Sequence, residues 1–311
     1  MLDIHTVLHP TDFSECAKHA FTYALQVARQ HDADLHLLHV GPSEGEDPIR
    51  SAYQIEAGDE SVLKKMRDRA EERMMDLIGE VDSSGVNIQL SYTRGIAPGP
   101  EILKHANEES IDLVVMGTHG RRGVKRFILG SVAEEVVRQA PCSVLTVCGE
   151  AQGDFTPPTV DRMLVPVDLS EFTMPLLRSA KTVAAAYTAE IDLLHVVEPL
   201  PFPAPLVGAL TIHDLIPDPT DQATGQLEQL SEQSDGPDVA ITPHVAEGHA
   251  AKVILNTAEE LDSDLIMIAS HGLSGLEGML LGSVTARVLR KAKCPVWVAR
   301  VQPENGTEEA A

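Results

Sequence analysis

Apolar residues recur along this chain in two rhythms, one of strands and one of helices. Residues 4–9 form a short apolar run that Pro10 stops, which predicts a strand. Ser14 is a good helix N-cap, and behind it Ala17, Ala20, Phe21, Ala24, Leu25, Val27 and Ala28 lie on one helical stripe. Residues 35–40 read as a second strand and 41–59 as a polar, turn-rich loop. A charged helix follows over 61–79, with Leu63, Met66, Ala70, Met74, Leu77 and Ile78 on one side. Residues 86–93 alternate and predict a third strand, and 100–110 a helix carrying Ile102, Leu103 and Ala106. Residues 113–116 read as a buried fourth strand. Val132, Val136 and Val137 then stand at helical spacing, and 141–147 form a fifth strand.

Strand and helix in alternation imply a parallel sheet covered on both faces, with right-handed crossovers. The chain then begins again. Pro10-Thr11-Asp12-Phe13-Ser14-Glu15 returns as Pro166-Val167-Asp168-Leu169-Ser170-Glu171, and Leu37-Leu38-His39-Val40 as Leu193-Leu194-His195-Val196. Gly130-Ser131-Val132 returns as Gly282-Ser283-Val284, and residues 138–144 match 290–296. Order and near-constant spacing mark a duplication. The expected fold class is therefore α/β: two repeated open parallel five-stranded sheets, Rossmann-like in layering. The expected domains are 1–149 and 161–302, joined by a linker over 150–160 and followed by a flexible tail over 303–311. The copies differ after their second strands. There the second copy carries a proline-rich stretch, 198–221, that reads either as an ordered surface loop or as a lid or partner site.

Composition narrows the function. Hydrophobic residues make up 43% and aromatics only 4% of the 311 residues, so the core must be aliphatic. A formal net charge of -23 repels phosphate backbones and anionic lipid, which disfavours nucleic acid and membrane as partners. No apolar run approaches the roughly 20 residues of a membrane span. The N-terminus lacks the regions of a signal peptide. Cys16, Cys142, Cys148 and Cys294 form no Cys-x-x-Cys and no zinc spacing, which fits a reducing cytoplasm.

The chemistry centres on Val115-Met116-Gly117-Thr118-His119-Gly120 and its continuation to Gly130-Ser131-Val132. A strand runs into a long glycine-bearing loop and then into a helix N-terminus. Glycines let the backbone come close to a ligand, and unpaired N–H groups at a helix start attract an anion. The same residues could be turn chemistry alone. The loop is neither a Walker A motif nor Gly-x-Gly-x-x-Gly. Its spacing, Gly-x2-Gly-x9-Gly-Ser, resembles the nucleotide-binding signature of the universal stress protein family, and the resemblance extends over both halves.

That resemblance implies an adenine nucleotide alpha hydrolase-like fold and a tandem protein that binds ATP, or AMP or ADP, in a stress response. In it Asp12 would help hold the nucleoside and Val40 would read the adenine edge through its backbone. Gly117, Gly120, Gly130 and Ser131 would hold the phosphates. Pro10, Thr11, Met116, Arg121 and Val132 complete the expected nucleotide site. A magnesium ion could bridge phosphate oxygens, although no carboxylate in the motif announces a metal site. The resemblance also implies pairing of the two halves as a pseudo-dimer, or a homodimer.

In the second copy Asp168, Val196, Gly272, Gly282 and Ser283 occupy the matching positions, but Ala269 replaces the first motif glycine. That methyl would crowd a phosphate or forbid a positive φ. Arg121, Arg122, Lys125 and Arg126, which could screen a triphosphate or simply face water, have no counterparts, and Glu277 adds negative charge. The first copy is expected to be the better site. No residue is assigned as catalytic: there is no nucleophile elbow, His-Glu-x-x-His or kinase set, so any hydrolysis should be slow. Ser14 and Ser170 read as helix caps. His39, His195, His119 and His271 read as packing or hydrogen-bonded turns before ligands or bases.

Overall fold

The computed structural model describes residues 3–43, 60–118, 129–147, 159–198, 219–270 and 281–303. They fall into two units, Asp3–Pro158 and Thr159 onward. In the first, β1 (Thr6–Pro10), β2 (Asp34–Pro42), β3 (Ile88–Gly95), β4 (Leu113–Gly117) and β5 (Ser143–Val147) alternate with α1 (Glu15–His31), α2 (Glu60–Gly79), α3 (Pro98–Glu108) and α4 (Ser131–Gln139). All pairings are parallel, in the order β3-β2-β1-β4-β5. In the second, β6 (Arg162–Val167), β7 (Glu190–Val197), β8 (Ile241–Glu247), β9 (Leu265–Ala269) and β10 (Val296–Ala299) take the same order, β8-β7-β6-β9-β10. Their helices are α5 (Thr173–Tyr187), α6 (Pro219–Gln233), α7 (Ala250–Glu260) and α8 (Ser283–Lys291). The α/β class and its repetition are thus as the sequence implies. Strand limits move by a residue or two: β1 keeps Pro10, in register with Leu38, and β5 starts after Pro141.

The central strands are apolar on both faces because helices cover both. Leu35, Leu37, Val114 and Val115 are fully buried, as are Leu164, Leu193 and Ile266 in the second unit. Each such side chain contributes roughly 1.5–3 kcal/mol by leaving water. α1 supplies Ala20, Phe21, Ala24 and Val27, all fully buried, so its small residues let the helix lie close on the sheet. On α2 the expected stripe is buried at Ala70, Met74 and Leu77, whereas Leu63, Met66 and Ile78 are half-buried.

Duplication reaches the backbone where side chains have diverged. Phe13 (φ 62) matches Leu169 (φ 59), Asp32 (φ 52) matches Thr188 (φ 61), and Ser110 (φ 50) matches Asp262 (φ 50). A left-handed conformation costs such residues about 1–2 kcal/mol. Each pair occurs at a turn that the sheet dictates: Asp32 and Thr188 are the C-caps of α1 and α5. The carboxylates of Asp112 and Asp264 repeat as well. Asp112 accepts from the amides of His5 and Thr6 and from the Thr6 hydroxyl, and Asp264 from the amides of Asp161 and Arg162. Each ties the entry of one strand to the entry of its neighbour.

Candidate functional site

In the order β3-β2-β1-β4-β5 the chain reverses direction between β1 and β4. The carboxyl edge at such a reversal is the crevice in which ligands of open parallel sheets sit. Thr11 and Asp12 leave β1 on one side, and Gly117 and Thr118 leave β4 on the other. Pro10 and Met116 are the strand-end residues behind them.

The β1 exit is a tight turn. The Thr11 hydroxyl accepts from the Phe13 amide at 3.0 Å, and Asp12 Oδ1 accepts from the Ser14 amide at 3.0 Å. Ser14 caps α1 as expected, its hydroxyl accepting from the Ala17 amide at 3.2 Å. Phe13 takes the left-handed conformation between them, with Arg73 over its ring at 4.0 Å and the His39 ring 4.6 Å from its centroid. In the second unit the expected cap fails. The Ser170 hydroxyl donates to Asp168 Oδ1 at 2.5 Å, and α5 starts at Thr173 with Phe172 at the cap position and no side-chain cap. The hydroxyl still accepts from the Phe172 amide, at 3.4 Å, but ahead of the helix rather than in its first turn.

Alternation along β2 aims Val40. Leu35 donates its amide to Asn87 on the β3 side, and the Leu38 carbonyl accepts from Thr11 on the β1 side. Residues 36, 38 and 40 therefore turn their backbone groups toward β1. At Val40 that strand has already ended, so its N–H and C=O face the crevice. His39 Nδ1 lies 2.7 Å from the Thr11 carbonyl oxygen, and His195 Nδ1 lies 3.0 Å from that of Val167. A carbonyl can only accept, so Nδ1 carries the proton and donates in both. The pair is a repeated turn lock, the packing role that the sequence favours.

On the opposite side, the Thr118 amide donates to Val147 and the Gly130 amide donates to Thr118, at 2.9 and 2.7 Å. The segment that starts at Thr118 is thus pinned to its own end at Gly130. Gly130 is the N-cap of α4, with φ -65 and ψ 148 and no side chain to cap the helix. Its own amide is committed, so the open donors are those of Ser131 and Val132, which no hydrogen bond among the described residues takes up. The second unit repeats this: Ser270 donates to Ala299 and Gly282 to Ser270, both at 3.0 Å, with Ser283 opening α8.

Gly117 is required for a reason the sequence does not show. Its φ is not positive, and a Cβ there would lie 2.8 Å from Cys16 Sγ and 3.0 Å from the Cys16 carbonyl oxygen. Close approach of the α1 start, not backbone strain, excludes a side chain. In the second unit α5 starts later, and Ala269 is accommodated. A Cβ on Gly282 would meet only ordinary contacts, at 3.5 and 3.6 Å, so packing alone does not demand glycine there.

His9 lies just behind the crevice, fully buried. Nδ1 donates to the Val115 carbonyl at 2.8 Å, while Nε2 has no partner among the described residues. Burial lowers its pKa to about 4, against the smaller opposing effects of Val115 and Asp12, so the ring is neutral. Val165 stands at the matching place in the second unit.

Pro10, Thr11, Asp12, Val40, Met116, Gly117, Gly130, Ser131 and Val132 therefore gather at one carboxyl edge, as do Asp168, Val196, Gly282 and Ser283 in the other unit. Gly120, Arg121 and Gly272, with the basic residues 122, 125 and 126, lie outside the described residues, as does the proline-rich stretch over 199–218. Among the described residues there is no group of three or more His, Cys, Asp or Glu placed to hold a metal, and no helix long and apolar enough to cross a membrane.

Comparison with known proteins matches the chain to the model of the universal stress protein family twice, over residues 3–147 and 159–300. Two universal stress proteins of Methanocaldococcus jannaschii are similar to one copy. One is 35% identical over 149 residues, 45% of this chain and 80% of the relative. The other is 30% identical over 152 residues, 45% of this chain and 93% of the relative. The crystal structure of a universal stress protein from Archaeoglobus fulgidus superposes with a TM-score of 0.68 at 22% identity, covering 97% of each chain, a likeness of fold.

Proposed function

The chain belongs to the universal stress protein family, present in two copies, and on that footing we propose that its first copy binds ATP or a related adenine nucleotide. The observation that carries the proposal is the convergence of unclaimed donors on one crevice. Ser131 and Val132 offer amides at the start of α4, and Val40 offers both backbone groups past the end of β1. A phosphate suits the first and a purine edge the second. Asp12, already turned by the Ser14 amide, would accept from ribose hydroxyls. A magnesium ion would come with the nucleotide and bridge its phosphate oxygens rather than occupy a protein cage. The nucleotide would act by changing how the protein associates, as a homodimer or through its two halves, or which partner it meets during cytoplasmic stress. At most it would be hydrolysed slowly, since the motif has no Walker-type lysine and Asp12 is turned to the Ser14 amide and the nucleoside.

Gly282 favours a second reading for the second copy. It keeps a glycine that packing does not require, while Ala269 and Glu277 replace glycine and cationic chemistry. A less charged ligand would suit it better than a triphosphate.

The test is mass analysis of small molecules released on denaturing the purified protein, with calorimetric titration of ATP. An adenine nucleotide released from the protein, and affinity lost in Gly130→Val, is the expected result. A ligand-free protein that also fails to bind added ATP leaves a nucleotide-free scaffold of the same fold.

A further inference from the structure

A second concavity, of about 550 Å³, lies between α2 and β3 and is lined by Leu63, Lys64, Arg67, Tyr92 and Arg94. Three of five lining side chains are cations, in a chain whose net charge is -23. Among the described residues neither Lys64 nor Arg67 has an ion-pair partner, whereas Arg69 on the same helix pairs with Glu72. Lys64 and Arg67 are three apart and so share one helix face. Arg94 is held in place by its Nε, which donates to the Pro42 carbonyl at 3.1 Å. Tyr92 lies over Gly41, where any Cβ would collide with the phenol.

This arrangement is particular to one copy. By strand register the second unit has Val197 for Gly41, Val245 for Tyr92 and Glu247 for Arg94. The α6 helix carries no lysine or arginine. Glycine beneath a ring has become valine beneath valine, and the cation at the strand end has become an anion. The fold tolerates either set, so packing does not impose the cationic one.

We propose that Lys64, Arg67, Tyr92 and Arg94 form a binding pocket for a small phosphomonoester carried on a flat apolar ring. Several cations gathered on one concavity favour a doubly charged phosphate over a single carboxylate. Leu63 and the Tyr92 ring supply the wall for the apolar body, and the volume suits a small organic molecule. The pocket lies on the β3 side of Val40, whose strand partner is Thr93, and away from the phosphate side of the nucleotide crevice. β1 and β2 lie between β3 and β4, about 14 Å at ordinary strand spacing.

Phenyl phosphate, titrated into the full chain by calorimetry and followed by amide NMR, tests the pocket. Binding is expected to perturb residues 63–67 and 92–94. It should weaken at least tenfold in the double variant Lys64→Gln/Arg67→Gln and within threefold in Lys64→Arg/Arg67→Lys. Tyr92→Leu should weaken phenyl phosphate and leave inorganic phosphate unchanged. The exposed charge variants should keep the parent melting temperature and ATP affinity. No binding to the parent, unchanged binding in the double glutamine variant, or loss in Gly130→Val instead would each overturn the assignment. Phenyl phosphate binding without ATP binding would uphold the pocket and sink only the nucleotide reading.

Discussion

Gly117 faces Cys16 so closely that a methyl group placed on it would stand 2.8 Å from the thiol sulfur and 3.0 Å from the Cys16 carbonyl oxygen. The sulfur can rotate away, but the carbonyl belongs to the first turn of α1 and cannot move without the helix. Gly117→Ala should therefore cost about 1–3 kcal/mol in urea unfolding, and Cys16→Ala should restore only part of it. Unchanged stability in Gly117→Ala would show that the α1 start yields freely.

The neutral, buried His9 makes stability depend on pH. Its folded pKa, about 4, lies below the ordinary 6.5, so the unfolded chain takes up the proton first as pH falls. The stabilisation is complete above about pH 6.5 and is lost progressively down to about 4, amounting to about 3 kcal/mol. Burial lowers His31 and His105 in the same direction, and His36 adds to the effect on His105. His9→Val, which copies Val165, should flatten this slope in denaturation measured from pH 7 to 4.5. A slope unchanged in that variant would move its origin to His31, His105 or the carboxylates.

Ser14 and Ser170 hold the same place in the two copies but do different work. Ser14→Ala removes a cap whose hydroxyl accepts at 3.2 Å and should cost about 1 kcal/mol. Ser170→Ala removes a hydroxyl bound to Asp168 outside the helix and should cost less. Thermal unfolding of the pair checks the ranking, and equal losses would mean that Ser170 supports α5 after all.

Asp12 separates turn from ligand. Asp12→Asn keeps an oxygen for the Ser14 amide but removes the charge, so stability should hold within about 0.5 kcal/mol while ATP affinity falls about tenfold. Asp12→Ala should lose both. Calorimetry on the parent should also find a single ATP site per chain. Equal occupancy of both copies would overturn the ranking that rests on Ala269 and Glu277.

The strands were legible because an aliphatic run bounded by Pro10, Gly117 or Pro141 is too short for a helix and too apolar for a loop, and the repeat made each reading count twice. The gathering of Asp12, Val40 and Ser131 followed from strand order. What stayed hidden depends on contacts between distant residues. Nothing in Phe13 or Leu169 announces a left-handed backbone, since the turn imposes it. The need for glycine at 117 lies in Cys16, about a hundred residues upstream in the chain. Ser170 copied its sequence context from Ser14, the aspartate two residues back included, and still lost the cap, because its helix starts three residues further on, at Thr173. Lys64, Arg67 and Arg94 look like ordinary surface charge until helix and strand are laid together.

Thr118 and Gly130 clasp each other, as do Ser270 and Gly282, so α4 and α8 are each anchored independently of the residues in between. That interval can be rewritten like text between fixed brackets. One copy has filled it with arginines and the other with leucine, glycine and glutamate, and the architecture on either side registers no change. A protein with two such brackets can hold two unlike inserts on one architecture, each free to suit a different ligand.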